Sequence, residues 1–246
     1  MTALTWISMK KIRIEVWSDI ACPWCYVGKR RLEAALAEFP HRDEVSVMWR
    51  AFELDPSAPR ERDRKISYAE RLASKYGTST DQAAGMIDRM TTTARGDGLD
   101  FRFDKIRSGN TFDAHRVIHL AGEKSAQLQD TVKERLLRGY MTEGELMADH
   151  ETLVRLADEA GLDPDRVRAM LASDEFTEEV RDDESEAAEL GITGVPFFVV
   201  GNVYAVSGAQ PKDVLLAALA KAWAEVEPDS KAAYAAGAVC GPDGCH

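Results

Sequence analysis

The spacing of apolar residues changes twice along the chain and divides it into three parts. Near the N-terminus, residues 11–17 (KIRIEVW) alternate apolar and polar positions, and this period of two predicts a β-strand. Residues 22–39 place apolar side chains near a period of 3.6, which predicts a helix with Pro23 in its first turn. A second strand is predicted over residues 45–52 (VSVMWRAF). The order strand, helix, strand predicts a parallel βαβ unit.

The long middle segment, from about residue 57 to residue 190, shows helical periodicity and almost no strand pattern. Its last helix carries the acidic run DDESEAAEL (residues 182–190), which we predict to be a solvated helix face. Strand character returns at residues 195–200 (VPFFVV). A turn at Gly201-Asn202 and a second short strand follow, and Pro211 opens a last helix.

These patterns predict an α/β fold in which the two ends of the chain form one sheet. We assign residues 10–56 and 191–226 to one discontinuous domain and residues 57–190 to an all-helical insertion. Residues 227–246 are rich in Ala and Gly, and we predict a flexible tail there.

Composition narrows the possible functions of the 246-residue chain. With 45% hydrophobic residues it can bury a sizeable core, and its net charge of −11 argues against nucleic acid as a partner. No apolar run approaches the roughly 20 residues of a membrane span, and the first residues do not fit a signal peptide. We therefore expect a cytoplasmic protein, where a close cysteine pair is typically catalytic or metal-binding.

Two cysteines, Cys22 and Cys25, lie where the first predicted strand gives way to the first predicted helix. A thiol attacks only as thiolate, and a helix N-terminus or a Cys-X-X-Cys turn lowers a thiol pKa from about 8.5 to about 3.5–7. Both conditions apply to Cys22, so we expect it to be anionic near neutral pH. Cys25 lies one turn further along the helix, close enough to resolve a mixed disulfide.

The residues around the pair have predicted supporting roles. Pro23 stiffens the turn, and Trp24 offers an apolar rim beside the reactive sulfur. Three basic residues further along the helix are expected to add a weak positive field: Lys29, Arg30 and Arg31.

Two other interpretations of the pair stay open at this point. One is a pair of inert core thiols, and the other is half of a zinc site whose remaining ligands would come from the C-terminal tail. The strand-then-helix context favours redox chemistry. Elsewhere, His115 and His119 share a helical face, but no third ligand is evident, so we expect polar residues lining a cleft rather than a metal pair.

Three segments together resemble the DsbA family of thioredoxin-fold oxidoreductases: IEVWSDIACPWCYVGKRRLEAAL, SGNTFDAHRVIHLA and GITGVPFFVV. The similarity runs from about residue 13 to residue 226 and is greatest to the FrnE-like branch. This resemblance implies a thioredoxin fold carrying an inserted helical domain, which agrees with the fold expected from the patterns alone.

The resemblance also implies roles for particular residues. It makes Cys22 the attacking nucleophile and Cys25 the buried resolving thiol. It implies that Val195-Pro196 is a cis peptide facing Cys22, and that substrate pairs with the backbone before this proline as an added strand. Pro23 and Trp24 would complete the substrate-binding surface.

The sequence departs from the family pattern in two places. The buried acid that thioredoxins place six residues before the first cysteine is Val16 here; neither Glu15 nor Asp19 is a clean substitute, so the acid is left unassigned. The dipeptide between the cysteines is Pro-Trp, and we expect a reduction potential of roughly −270 to −120 mV. The direction of electron flow stays open.

The function predicted from all of this is thiol–disulfide oxidation, reduction or isomerisation on protein or peptide substrates. We predict no bound metal and no cofactor, with glutathione or a thioredoxin system as redox partner. Two alternatives are a glutathione-dependent isomerase or transferase, on the resemblance to hydroxychromene-carboxylate isomerases and kappa-class glutathione transferases, and a zinc-stabilised binding module.

A second cysteine pair, Cys240 and Cys245, lies in a Gly- and Pro-rich stretch that favours a tight turn. We predict a shuttle that exchanges electrons with Cys22 and Cys25; the rivals are a zinc site with His246 and a passive terminus.

The shuttle is tested by changing both Cys240 and Cys245 to Ser. We expect turnover with disulfide substrates to fall, because the relay of electrons through the tail is lost. Steady-state rates measure this, and unchanged rates with every substrate would end the idea.

Overall fold

The computed structural model describes residues 11–225, which form four strands and nine α-helices. The strands are β1 (Ile12–Ser18), β2 (Val45–Ala51), β3 (Phe197–Val200) and β4 (Tyr204–Ser207). The helices are α1 (Pro23–Glu38), α2 (Tyr68–Tyr76), α3 (Thr80–Gly96), α4 (Phe112–Lys124), α5 (Ala126–Arg138), α6 (His150–Glu159), α7 (Pro164–Leu171), α8 (Thr177–Glu189) and α9 (Lys212–Glu225). A short 3₁₀ turn (Arg42–Glu44) precedes β2, and a π-helical turn (Gly139–Glu143) follows α5.

The four strands form one mixed sheet in the order β2-β1-β3-β4. β1 and β2 run parallel, as α1 requires of the two strands it connects, while β1–β3 and β3–β4 are antiparallel. Both residues of the predicted turn have positive φ, 63° at Gly201 and 60° at Asn202, a conformation that is typical of hairpin turns. The predicted βαβ unit and C-terminal hairpin are thus confirmed.

All secondary structure between β2 and β3 is helical, and this confirms the predicted fold class. Local sequence explains several boundaries. Ser67 and Glu70 form a reciprocal capping box at the start of α2, and Gly77 ends that helix in the left-handed conformation. At α7, the side chain of Asp163 accepts the Asp165 N–H, and Pro164 occupies the first turn.

One hydrophobic cluster runs from the sheet into the inserted helices. β1 is central in the sheet and contributes Ile14 and Val16, both fully buried. The same cluster contains side chains from α1, α9 and the insertion, including Val27, Leu136, Leu153 and Leu219. The sheet and the insertion therefore share a continuous core. The assignment of separate domains stays a prediction.

Helix α5 closes the edge of the sheet at β2. The Gln129 side chain accepts a hydrogen bond from the Trp49 backbone N–H (2.9 Å) and donates one to the Trp49 carbonyl (3.1 Å). An edge strand exposes unpaired backbone groups, and a buried amide side chain satisfies two of them here. This contact fixes α5 against the parallel half of the sheet, close to α1.

The prediction that residues 182–190 form a solvated face is wrong for Asp183, which is 1% exposed. Its carboxylate accepts hydrogen bonds from the Ala51 N–H and from the Arg50 guanidinium, both at 2.7 Å. The indole N–H of Trp17 donates to the Asp183 carbonyl (2.8 Å). One carboxylate of the acidic run thus anchors α8 to the end of β2, because β2 leaves a backbone donor there.

Helix α1 lies so close to the segment before β3 that only glycine fits at position 28. A Cβ there would lie 2.8 Å from Cγ of Pro196 and 3.2 Å from Cζ of Phe198. The proline ring cannot rotate out of the way, so the approach of α1 depends on Gly28.

We predict that Gly28→Ala lowers the free energy of unfolding by about 1–3 kcal/mol through overpacking. The matched control is Gly85→Ala in α3, where the nearest neighbour of a new Cβ is the flexible Arg89 side chain at 3.7 Å. This control should be neutral or stabilising by up to about 1 kcal/mol, the usual helical preference for Ala. Urea unfolding measures both, and equal or increased stability of both variants would contradict the packing argument.

Candidate active site

Cys22 is the N-cap of α1, in extended conformation (φ −92°, ψ 111°). Its N–H donates to the Asp19 carbonyl (3.3 Å), and its own carbonyl accepts from the Cys25 N–H (3.1 Å). These bonds place its sulfur at the positive end of the helix dipole, as predicted. Cys22 is 5% exposed and Cys25 is fully buried, so Cys22 is the more accessible of the two thiols.

Cys25 lies one turn further along α1, next to Cys22. Both cysteines are free thiols. Burial raises the pKa of Cys25 well above its usual range, and the neighbouring Cys22 raises it further. Cys25 therefore stays a neutral thiol over the physiological range.

The segment before β3 faces this pair. The Val195-Pro196 peptide bond is cis, as the resemblance implied. The Cys22 thiol donates to the Val195 carbonyl at 3.5 Å. Within residues 11–225, the backbone of Val195 makes no hydrogen bond to another backbone group. The structure thus brings together the predicted residues Cys22, Pro23, Cys25, Val195 and Pro196. Trp24, 39% exposed, lies beside them on the first turn of α1.

Of the two acids left unassigned, Asp19 lies at the site and Glu15 does not. The Asp19 carboxylate accepts the N–H groups of Ala21 (3.1 Å) and Leu54 (2.8 Å) and lies 3.5 Å from Nε2 of His115. Burial works against its ionisation, but the interaction with His115 and these two hydrogen bonds outweigh burial and lower the pKa of Asp19. Asp19 therefore holds the loop between β1 and α1, whereas Glu15 is bound to arginines, including Arg50 (2.9 Å).

The prediction that Lys29, Arg30 and Arg31 add a positive field at the thiols is wrong. Each of these charges has a carboxylate partner: Lys29 contacts Glu33 and Asp130, Arg30 contacts Glu134, and Arg31 contacts Asp97. Glu33 lies on α1 itself, four residues after Lys29, whereas Asp130 and Glu134 lie on α5 and Asp97 follows α3. The partners on other elements are far along the chain, so sequence spacing could indicate only the Glu33 contact.

Sequence reasoning missed a buried cation at this site, Lys133 of α5, which is 0% exposed. Its ammonium donates to the Ser18 carbonyl at 3.4 Å, at the end of β1. A signal was present, because Lys133 falls on the apolar stripe of α5 with Val132, Leu136 and Leu137.

The two histidines do not form one site. His115 is buried beside Asp19, and burial lowers the pKa of its imidazole. Nε2 of His119 lies 2.9 Å from Asp183, and His119 lines a cavity of about 430 Å³ whose lining does not include Cys22 or Cys25. Among residues 11–225, no group of three or more His, Cys, Asp or Glu side chains is arranged to hold a metal ion. The tail residues Cys240, Cys245 and His246 lie outside the described residues.

The DSBA-like thioredoxin domain matches this chain over residues 13–220, and the chain belongs to that family. The crystal structure of a probable DsbA oxidoreductase from Streptomyces coelicolor is 45% identical. It superposes with a TM-score of 0.82, with 96% of this chain and 98% of that one covered.

Two further relatives extend the comparison. The uncharacterised protein YwbO of Bacillus subtilis strain 168 is 27% identical over 205 residues, which are 82% of this chain and 93% of YwbO. The cytosolic disulfide reductase DsbM from Pseudomonas aeruginosa, solved with GSH, is 18% identical with a TM-score of 0.61 and covers 86% of this chain and 99% of its own. DsbM shares the fold. No helix within residues 11–225 has the length and apolar character to span a bilayer.

We predict that iodoacetamide modifies Cys22 of the native, reduced protein at least about tenfold faster than Cys25. Only Cys22 reaches solvent, and the raised pKa of Cys25 keeps that thiol neutral. Peptide mapping by mass spectrometry at pH 7 measures the two rates. Denaturant serves as the control, since unfolding should bring the rates within a few-fold of each other. Equal rates in the native protein would contradict this geometry.

Proposed function

We propose that the chain catalyses thiol–disulfide exchange on protein or peptide substrates, with Cys22 as the attacking sulfur and Cys25 as the resolving one. The observation that carries the proposal is the placement of two free thiols one turn apart at a helix N-terminus, with the Cys22 thiol hydrogen-bonded to the carbonyl that precedes the cis-proline. Membership of the DSBA-like family supports the reaction class.

The exchange proceeds in two displacements. The Cys22 thiolate attacks one sulfur of the substrate disulfide, a mixed disulfide forms, and one substrate thiolate leaves. The Cys25 thiol then loses its proton and attacks Cys22, so that the second substrate thiolate leaves and a Cys22–Cys25 disulfide remains. Two electrons pass from the dithiol to the substrate, and its two thiolates take up protons. The reverse sequence oxidises substrate dithiols. Isomerisation occurs when another thiolate of the substrate attacks the mixed disulfide, which forms a new substrate disulfide and releases the Cys22 thiolate.

The main chain at Val195 supports the proposed docking of a peptide. The substrate disulfide must reach Cys22, whose sulfur lies 3.5 Å from the Val195 carbonyl. The backbone of Val195 has no backbone partner within the described residues, so an extended peptide has an edge to pair with. Trp24, two residues after Cys22, offers exposed apolar surface on the first turn of α1.

Glutathione or a thioredoxin system is the proposed source or sink of electrons, and the cytoplasm is the proposed location. The structure of DsbM with GSH is compatible with glutathione as a partner for this fold. The FrnE-like branch stays the proposed subgroup within the family, on the segments that carry that resemblance.

We predict that the wild-type chain accelerates the reduction of insulin by a small thiol, and that Cys22→Ser abolishes this acceleration, because the attacking sulfur is gone. Cys25→Ser should instead accumulate a covalent adduct with substrate through Cys22, since the adduct has no resolving thiol. Insulin turbidity and mass spectrometry of the adduct measure the two effects.

The same variants separate the alternatives. A glutathione-dependent isomerase or transferase would keep its activity in Cys25→Ser, while insulin reduction would be absent from the parent. A zinc module would carry stoichiometric metal that is lost in Cys22→Ser. Either pattern would overturn the exchange proposal.

A further inference from the structure

Lys133 is a buried cation without a counter-ion in the described part of the chain. Its side chain has no solvent exposure, and no carboxylate of residues 11–225 lies within 4.0 Å of its ammonium. Removing an ammonium from water without a partner costs several kcal/mol, on the order of the stability of a small domain. Packing alone would favour Met or Leu at this position of the α5 stripe.

A single peptide group joins this cation to the buried thiol. The Ser18 carbonyl accepts from the Lys133 ammonium at 3.4 Å, and the Asp19 N–H of the same peptide is the backbone group that acts to lower the pKa of Cys25. The peptide dipole therefore points its positive end at the sulfur and its negative end at the ammonium. The cation thus strengthens the action of this peptide on the Cys25 sulfur.

The groups facing Lys133 come from every element around it. They are the thiols of Cys22 and Cys25 on α1, Asp19 after β1, His115 on α4 and Lys29 on α1. Asp19 is already held by two backbone N–H groups and lies beside His115. The sulfurs are then the groups whose negative charge Lys133 is placed to balance.

Burial lowers the pKa of Lys133 to about 8, and electrostatic interactions with Cys25, Asp19 and Cys22 oppose that shift. The ammonium form therefore predominates at pH 7. Burial also strengthens its electrostatic interactions relative to a surface lysine, because the surrounding dielectric is low.

We propose that Lys133 is a positioning residue that sets the redox equilibrium of the Cys22–Cys25 pair by stabilising the negative charge that its sulfurs carry in the reduced form. The disulfide carries no such charge, so the cation favours the dithiol. The proposal rests on the proposed function. In the equilibrium, two glutathione thiols give two electrons to the protein disulfide, which yields glutathione disulfide, a protein thiol–thiolate pair and one proton released to the buffer.

Lys29 provides a matched control. It is also buried, and its ammonium lies 5.9 Å from the centroid of the Trp49 ring, against 5.6 Å for Lys133. Its charge is balanced by carboxylates, among them Glu33 and Asp130. Replacing either lysine with Met removes a buried charge, but only Lys133 faces the thiols through the Ser18–Asp19 peptide.

The test compares Lys133→Met, Lys133→Gln and Lys29→Met with the parent in glutathione buffers at pH 7. The fraction of Cys22–Cys25 disulfide is measured by alkylation and mass spectrometry. We expect both Lys133 variants to shift the equilibrium toward disulfide at least about tenfold, which corresponds to about 30 mV. Lys29→Met should shift it less than about threefold. The difference between the parent and the Lys133 variants should narrow as the pH rises above about 8, because the parent ammonium is then lost.

The outcomes separate the possible failures. Lys133→Gln is also neutral, and its side-chain amide keeps a hydrogen-bond donor for the Ser18 carbonyl. If Lys133→Met fails to fold, the redox equilibrium is measured with Lys133→Gln. Equilibria within twofold of the parent in the neutral variants, or an equal shift in Lys29→Met, would overturn the role of Lys133. A parent that forms no Cys22–Cys25 disulfide in any buffer would instead overturn the proposed function.

Discussion

The close contact between the first turn of α1 and the segment before β3 is the constraint on which the site depends. β1 lies between β2 and β3, so the start of α1 and the start of β3 meet at one end of the sheet. Gly28 allows the helix to reach Pro196, and this approach brings Cys22 to the Val195 carbonyl. Without that approach, the cysteine pair would sit at a helix end with no surface for a substrate beside it.

The strands, the first helix and the hairpin could be predicted from the sequence because each is indicated by residues close together in the chain. Alternation in β1, the cysteine pair with Pro23 at a strand–helix junction, and Gly201-Asn202 in the hairpin each depend on residues close in the chain. The prediction of a cis bond at Pro196 depended on the family resemblance alone, since most X-Pro bonds in folded proteins are trans.

The features that escaped prediction all depend on long-range pairing. Lys133 lies on the apolar stripe of α5, but the sequence does not predict that its ammonium contacts the Ser18 carbonyl at the end of β1. Asp183 is one of several carboxylates in its acidic run, and only its hydrogen bond from the Ala51 N–H distinguishes it from the others. Arg30 and Arg31 are paired with Glu134 of α5 and with Asp97, which follows α3, so the field expected from them is lost. The insertion thus supplies polar groups to the sheet as well as apolar cover.

Whether Cys22 and Cys25 form one reversible two-electron couple is tested directly by a redox titration of the unmodified chain in glutathione buffers, with both cysteines followed by peptide mapping. We expect a single transition between a dithiol and a Cys22–Cys25 disulfide, with a potential of roughly −270 to −120 mV. Thiols that stay reduced and unlinked across that whole range, or that pair only with cysteines elsewhere, would contradict it.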